Sequence, residues 1–338
     1  MSVKSAEKET VPPTGGAEPP SGLSSVDWPE LASRYGLLVV WVAIIGLFAA
    51  LLPDTFPTTA TLQSILGSQA VLLVLTIGML YSLRAGEFDL SVAGVMSLSL
   101  VLVGYLNVLH GWPIGLTVLV ALGVGALVGL INAFLVIVVG VESIIATLGM
   151  GTLLVGAGVG INNSVTSGIS PTLVDAATTS LFGLPMIFYY AVALTLITWY
   201  VFSYTPFGRY LYVIGVNRNV GRLSGLPVNR IRTSALIITG VLSALAGVLL
   251  AGQLGSSSPN TAPAYLLPAF AGAFLGSTVI SPGRFNAIGS FIAVYFLVTG
   301  ITGLNLLGYT GWVEQVFYGG SLVVAVAFSV VLGRRRLR

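Results

Sequence analysis

The sequence predicts an all-α protein, a polytopic membrane helix bundle of about ten spans. Two features of composition support this: 55% of the 338 residues are hydrophobic, and only 7% are charged. A soluble domain carries about 25% charged residues, so this chain cannot cover a water-exposed surface. Apolar runs of about 20 residues also recur along the chain, which is the length that a helix needs to cross a bilayer.

Each apolar run predicts one span. The predicted spans are 36–52, 62–83, 89–106, 115–139, 143–161, 183–203, 233–252, 265–280, 285–304 and 313–333. Residues 1–33 are polar and rich in Pro, Gly, Ser and Glu, which predicts a disordered cytoplasmic tail. Residues 334–338 form a basic C-terminal tail, so we expect one transmembrane domain over residues 34–333.

Lysine and arginine predict the orientation, because they are concentrated in the cytoplasmic loops of membrane proteins. With both termini in the cytoplasm, every Lys and Arg of this chain falls on the inner side. The predicted external loops contain neither residue type, and they are 53–61, 107–114, 162–182, 253–264 and 305–312. This asymmetry supports the predicted number of spans.

Charged residues gather at one place in this apolar sequence, since Arg84, Glu87 and Asp89 lie within six positions between spans two and three. Asp89 precedes a predicted helix and can cap it by accepting hydrogen bonds from the first backbone N–H groups. Gly86 permits the chain reversal that such a break requires. An acid in lipid costs on the order of 2–3 kcal/mol or more, so Glu87 should face protein, water or Arg84.

The longest predicted cytoplasmic loop, 204–232, carries five arginines. Its middle, YVIGVNRNVGRLSGL, can form a short helix with Asn217 as its cap and with Gly225 and Pro227 as its stop. The arginines either only fix the topology or belong to a basic helix that docks into a soluble partner.

The chain lacks residues that several classes of protein function require. It has no cysteine, which excludes disulfides and thiolate metal sites. Its only lysines, Lys4 and Lys8, lie in the predicted tail and neither follows the G-x-x-x-x-G pattern, so the chain contains no G-x-x-x-x-G-K-[ST] phosphate loop. No charged residue lies in the interior of a predicted span, which disfavours ion-coupled transport. We therefore expect no enzymatic activity, no cofactor or metal, and no nucleic-acid partner.

Glycines recur within the spans, for example in GVGALVGLINAF at 123–134, and they either permit close helix packing or expose backbone to a cavity. GLINAFLVIVVG at 129–140 and GSFIAVYFLVTG at 289–300 also share glycine ends and apolar spacing. These segments belong to spans four and nine, which run in opposite directions, as an inverted repeat requires. Chance similarity between apolar segments is the alternative.

Four motifs in this order resemble those of the membrane permease subunit of ribose-type bacterial ABC importers, a family that also serves other sugars and autoinducer-2. AGEFDLSVAG is similar to the family's G-G-I-D-L-S-V-G, and ESIIATLGM to its P-x-F-I-A-T-L-G-M. VIGVNRNVGRLSGL is similar to A-I-G-x-N-x-x-A-A-R-L-S-G-I, and G-L-N-L-L-G recurs at 303–308. One departure, YLLPAFA in place of Y-E-L-D-A-I-A, removes polar residues from a region expected to border the pathway.

The resemblance implies an alternating-access pathway for a small, sugar-like solute across the bacterial cytoplasmic (inner) membrane. It implies four kinds of partner: a cytoplasmic ABC ATPase that uses the ATP, an extracytoplasmic solute-binding protein, a second permease copy, identical or paralogous, and membrane lipid. The alternative left open by the residues is a stand-alone secondary transporter or channel.

Two sets of candidate site residues follow. Polar residues near helix ends or inside apolar spans are pathway candidates, although interhelical hydrogen bonding explains each of them equally well. They are Glu87, Asp89, Ser91, Asn132, Thr147 and Asn305. The resemblance also implies a coupling helix that docks into the ATPase through Arg218 and Arg222, with Leu223 as an apolar plug. The full coupling set is Gly215, Asn217, Arg218, Arg222, Leu223, Ser224 and Gly225.

Overall fold

The computed structural model of the protein describes residues 28–335, and this part of the chain is mainly helical. The first six helices are α1 (Trp28–Leu51), α2 (Thr59–Ser68), α3 (Ala70–Arg84), α4 (Val92–Val103), α5 (Ile114–Ala133) and α6 (Ser143–Ile161). The later helices are α7 (Pro171–Thr178), α8 (Met186–Tyr204), α9 (Pro206–Val216), α10 (Arg218–Leu223), α11 (Val228–Leu254), α12 (Leu266–Gly276), α13 (Ala287–Leu306) and α14 (Trp312–Arg335).

Short irregular elements complete these helices. Helices α4 and α5 continue as π-helix over Gly104–Leu109 and Phe134–Val139, and a 3₁₀ turn, Ala262–Tyr265, precedes α12. Two small antiparallel pairs join the loops at one end of the bundle. They are β1 (Thr166–Ser167) with β4 (Ser256–Ser257), and β2 (Ser180–Leu181) with β3 (Leu184–Pro185).

The helices confirm the predicted polytopic bundle. Within residues 28–335, eight helical segments are long and apolar enough to cross a membrane, and they match eight of the predicted spans. The two remaining spans correspond to shorter apolar helices, Ala262–Gly276 and Trp312–Ala327. Many exposed side chains on the outer helices are apolar, including Leu119 and Leu153, as expected for a surface that faces lipid.

Both ends of the chain differ from the predicted domain limits. Helix α1 begins at Trp28, inside the predicted tail of residues 1–33, because a proline such as Pro29 fits the first turn of a helix, where its missing N–H is not needed. Helix α14 runs to Arg335, two residues beyond the end of the predicted span. The rest of the two predicted tails, residues 1–27 and 336–338, lies outside the described part of the chain.

Helices α3 and α11 form the centre of the bundle. Every residue of α3 from Ala70 to Leu83 is buried, and α11 packs against α3, α4 and α5. Helix α1 lies at the periphery, where it contacts α13. The fully buried helix α3 thus leads directly into the charged segment.

Some helix contacts have a counterpart in the other half of the bundle. Helix α11 packs against α4 and α5, and α3 packs against α12 and α13. The contact of α4 with α6 likewise has a counterpart in that of α12 with α14. An inverted repeat would pair α5 with α13 in this way, and the repeat itself stays a prediction.

Glycines bring the backbones of α5 and α11 into direct contact. A Cβ atom added at Gly125 would lie 2.5 Å from the carbonyl oxygen of Gly240, and one added at Gly240 would overlap the carbonyl oxygen of Gly125. Gly129 approaches the carbonyl oxygen of Leu236 equally closely. Helix packing therefore accounts for Gly125 and Gly129, two of the three glycines of the 123–134 segment.

Replacement of Gly125 by alanine should lower the stability of the protein by about 1–3 kcal/mol, because the added methyl group forces α5 away from α11. Gly123 lies two residues away on the exposed face of α5, with nothing within 4 Å of an added Cβ, so Gly123→Ala is the matched control. The melting temperature of each variant in detergent measures this loss of stability. Equal melting temperatures for the two variants would contradict this account of the helix contact.

Candidate functional site

The charged segment forms a tight turn between α3 and α4. Helix α3 ends at Arg84, and the backbone N–H of Glu87 donates to the carbonyl oxygen of Ser82 at 2.9 Å. Gly86 has a φ of 75°, which confirms the predicted reversal at this glycine. Gly215 of α9 packs onto the turn, since a Cβ there would overlap the carbonyl oxygen of Arg84. The end of α9 therefore lies directly against the turn.

Glu87 is the charged centre of the site. Its side chain is 1% exposed, and its Oε1 accepts hydrogen bonds from Arg218 Nη2 at 2.8 Å and from Arg232 Nε at 2.5 Å. Arg218 Nη2 also donates to the carbonyl oxygen of Gly86 at 3.1 Å. Because Arg218 lies on α10 and Arg232 on α11, one carboxylate joins the turn to both of these helices.

The sequence makes Arg84 one possible partner of Glu87, but the structure does not pair them. Arg84 Nη1 donates to the carbonyl oxygen of Phe285 at 3.1 Å, and its Nη2 to that of Phe202 at 3.3 Å. Its guanidinium carbon also lies 4.3 Å from the ring centroid of Phe202. The reversal at Gly86 explains the difference. Arg84 precedes the reversal and Glu87 follows it, so their side chains extend in different directions.

Arg232 belongs to the site but is not among the candidate residues that the sequence predicts, since the loop arginines were expected either to fix the topology or to dock a partner. It is 5% exposed and lies in the first turns of α11, which begins at Val228, five residues before the predicted span. Pro227 is the sequence signal that could have identified this residue. A helix that begins directly after Pro227 contains Arg232 within an apolar segment. A charged residue on the buried face of such a helix requires a partner of opposite charge.

A second network joins the turn to α5. Asp89 Oδ1 accepts hydrogen bonds from the backbone N–H of Ser91 at 2.9 Å and from Ser91 Oγ at 2.6 Å. Asn132 Nδ2 of α5 donates to Ser91 Oγ at 2.8 Å. Asp89 therefore holds the backbone just before α4, close to the predicted capping role, and the whole network is buried.

Helix α6 holds the same turn through two hydroxyl groups. Thr147 Oγ1 accepts a hydrogen bond from the backbone N–H of Leu90 at 2.9 Å. Ser143 Oγ donates to the carbonyl oxygen of Phe88 at 2.7 Å. The residues around Glu87 thus connect the turn to α5, α6, α10 and α11.

Five of the six predicted pathway residues meet in this region: Glu87, Asp89, Ser91, Asn132 and Thr147. Each of the five is buried. The hydrogen bonds of Asn132 and Thr147 reach the turn from other helices, as the interhelical alternative expected. Asn305 does not join them. Helix α13 begins at Ala287, near the charged turn, and Asn305 lies at its opposite end.

An apolar groove of about 260 Å³ lies beside this network, between α4, α6 and α12. Leu90, Gly94, Thr152 and Leu266 contribute to its lining. Leu266 belongs to the YLLPAFA segment, where the sequence departs from the resembled family. Among the residues that the structure describes, no group of His, Asp or Glu side chains is arranged to hold a metal ion.

The predicted coupling segment contains two helices rather than one. Helix α9 is capped by Thr205, whose Oγ1 accepts from the backbone N–H of Gly208 at 3.3 Å. Helix α10 is capped by Asn217, as predicted, through hydrogen bonds from Asn219 and Val220. Gly225, with a φ of 75°, ends this part of the chain. The amphipathic sequence of Pro206–Val216 explains the additional helix.

Apolar and basic side chains are exposed together around α10. Leu223 is 90% exposed and Val216 69% exposed, and Arg222 lies beside Leu223 on the surface, followed by the exposed Ser224 and Gly225. Arg218, which was expected to dock, has an intramolecular partner in Glu87 that the sequence did not predict. Val216, Val220 and Leu223 are all exposed within eight positions, and exposed apolar side chains that gather beside polar ones favour an interaction surface over chance exposure of one residue.

Known proteins resemble this chain along most of its length. The family described as branched-chain amino acid transport system / permease component matches residues 61–326. The ribose import permease protein of Haemophilus influenzae is 29% identical over 305 residues, which cover 89% of this chain and 93% of that protein. The D-allose transport system permease protein of Escherichia coli is 28% identical over 89% of this chain and 93% of its own length.

The autoinducer 2 import system permease protein of Salmonella typhimurium is 30% identical over 75% of this chain and 78% of that protein. No solved structure matches the chain.

The substitution Glu87→Gln should destabilise the protein strongly, because it leaves Arg232 buried without an anion, and breaking a buried ion pair costs about 3–5 kcal/mol. Thermal unfolding of the purified protein measures this loss. Glu142→Gln is the matched control, since Glu142 is exposed. The double variant Glu87→Gln/Arg232→Gln should recover part of the loss. A melting temperature of Glu87→Gln equal to that of the control would refute the assignment.

Proposed function

Because the chain belongs to the membrane permease family described as branched-chain amino acid transport system / permease component, we propose that it is the permease subunit of an ABC importer for a small, sugar-like solute. The match over residues 61–326, nearly the whole membrane region, carries this proposal. Relatives named for import of ribose and fructose and for transport of allose support the solute class. Family membership favours this function over a stand-alone carrier or channel.

The energy for transport would come from a separate cytoplasmic ATPase that uses the ATP, and the chain itself would hold no cofactor. The absence of lysine outside Lys4 and Lys8 supports this division, because a phosphate-binding loop requires a lysine. The exposed Leu223 and Arg222 offer an apolar and charged surface on which such a partner can dock. An extracytoplasmic binding protein would deliver the solute and supply most of the selectivity.

The ion pairs of Glu87 would transmit movement of the ATPase into the membrane. A force on α10 reaches the turn through Arg218, and α11 is held to the same carboxylate through Arg232. The hydrogen bonds of Ser91 and Thr147 extend this connection to α5 and α6. Because these hydrogen bonds and ion pairs join the turn to each helix, we propose that the helices shift as one unit.

The solute would pass along the groove between α4, α6 and α12, closed on its open side by a second permease copy. Leu90, Gly94 and Leu266 line this groove, so its contacts with a sugar would be weak. Weak contacts suit a pathway that must release its solute. On this proposal Asp89, Ser91 and Asn132 position the wall of the pathway rather than bind the solute.

The protein would lie in the bacterial inner membrane with α10 and both termini in the cytoplasm. The distribution of Lys and Arg supports this orientation, because the loops assigned to the outside contain neither.

Reconstitution into liposomes tests the proposal. The permease, together with its ATPase and its binding protein, should accumulate labelled ribose or allose only when ATP is present on the ATPase side. The permease alone, under proton or sodium gradients, serves as the comparison. Uptake by the permease alone, driven by an ion gradient, would refute the proposal in favour of a secondary transporter.

Substitution of Arg222 by glutamate should abolish co-purification with the ATPase, because reversing one charge in a complementary interface costs several kcal/mol. The fold should remain intact, since Arg222 is exposed and forms no ion pair among the described residues. Arg209→Glu, on the neighbouring helix α9, is the control for the same change of charge. Undiminished co-purification of Arg222→Glu would contradict the docking surface.

A further inference from the structure

A polar cavity of about 430 Å³ lies at the same end of the bundle, between α8, α9 and the turn of residues 277–286. Three arginines line it: Arg84, Arg209 and Arg284. It is distinct from the groove beside Glu87, and nothing in the proposed transport function uses it. We call this cavity the arginine pocket.

The arginine pocket concentrates positive charge without an anion. The ion pairs that the structure describes involve Glu87 with Arg218 and Arg232, and none includes an arginine of this pocket. Arg84 and Arg284 approach the same aromatic ring, since their guanidinium carbons lie 5.9 Å and 4.3 Å from the ring centroid of Tyr212. Like charges brought so close repel each other, so an anion bound between them would be favoured.

The arginines leave hydrogen-bond donors for such an anion. Arg84 is held by two backbone carbonyl groups, but its buried Nε has no partner within the described part of the chain. Arg209 and Arg284 are exposed, and Ser203 and Ser281 add two hydroxyl groups to the lining. Guanidinium groups bind phosphate oxygens in pairs, with two parallel hydrogen bonds, and so match a phosphate group well.

Two observations place the pocket at the depth of lipid headgroups. Arg84 is the last residue of the apolar segment Thr59–Arg84, so the pocket begins where that span ends. Trp199 lines the pocket, and together with Tyr200 and Tyr204 it presents exposed aromatic rings at the end of α8. Tryptophan and tyrosine concentrate at the membrane–water interface, which is where phospholipid phosphates lie.

We propose that the arginine pocket binds the phosphate group of an anionic phospholipid. Basic pockets between membrane helices are suited to such headgroups, and the exposed face of α8 beside Trp199 offers an apolar surface for the acyl chains. The single negative charge of the bound phosphodiester offsets part of the positive charge of Arg209 and Arg284. Because these two arginines belong to α9 and to the turn before α13, the lipid links the element that precedes the docking helix to the far half of the bundle.

Thermal unfolding of the full chain in detergent, titrated with phosphatidylglycerol, tests the proposal. Phosphatidylglycerol should raise the melting temperature more than phosphatidylcholine with the same acyl chains. Arg209→Gln and Arg284→Gln should each weaken the apparent affinity for phosphatidylglycerol by roughly fivefold. Arg230→Gln is the matched control, because Arg230 is an exposed arginine at the same end of the bundle, outside the pocket.

Three outcomes would overturn the proposal. Equal stabilisation by phosphatidylglycerol and phosphatidylcholine would show that the headgroup charge is not recognised. Equal stabilisation by inorganic phosphate at the same concentration would identify a free anion as the ligand instead of a lipid. Loss of ATPase co-purification in the Arg209→Gln/Arg284→Gln variant, with unchanged lipid affinity, would assign these arginines to the protein interface.

Discussion

The buried charge of Glu87 is the constraint on which the rest of this structure depends. A carboxylate that is 1% exposed at the end of an apolar helix must be neutralised within the protein, because lipid cannot solvate it. Arg218 and Arg232 meet this requirement from two different helices. The need to pair one charge thus fixes the positions of the turn, of α10 and of the start of α11 relative to each other.

Close backbone contact is the second requirement for the same arrangement. Gly215 lets α9 reach the carbonyl oxygen of Arg84, and Gly125 and Gly240 bring α5 against α11. Helices in lipid gain little from the hydrophobic effect when they associate, so they depend on such contacts and on buried hydrogen bonds. The network of Asp89, Ser91 and Asn132 supplies those bonds at the turn.

The two charged sites at this end of the bundle have different characters. At Glu87 the carboxylate and Arg232 are buried and Arg218 pairs with the carboxylate from the surface, which suits a lasting mechanical link between helices. In the arginine pocket the charges have no described counter-ion and two of the three arginines are exposed, which suits an exchangeable ligand. Helix α9 contributes to both, because its end packs on the turn and its Arg209 lines the pocket. Lipid and ATPase would therefore act on adjoining parts of one segment.

The sequence by itself determined the membrane class, the ten apolar segments, the reversal at Gly86 and the cap at Asn217, because each depends on local composition or on one residue's backbone preference. Only the tertiary structure decided which charges pair. Arg84 lies three residues from Glu87 but turns away from it, whereas Arg232 lies 145 positions along the chain and binds it. Ion pairing depends on the direction of side chains in space, and sequence proximity does not determine that direction.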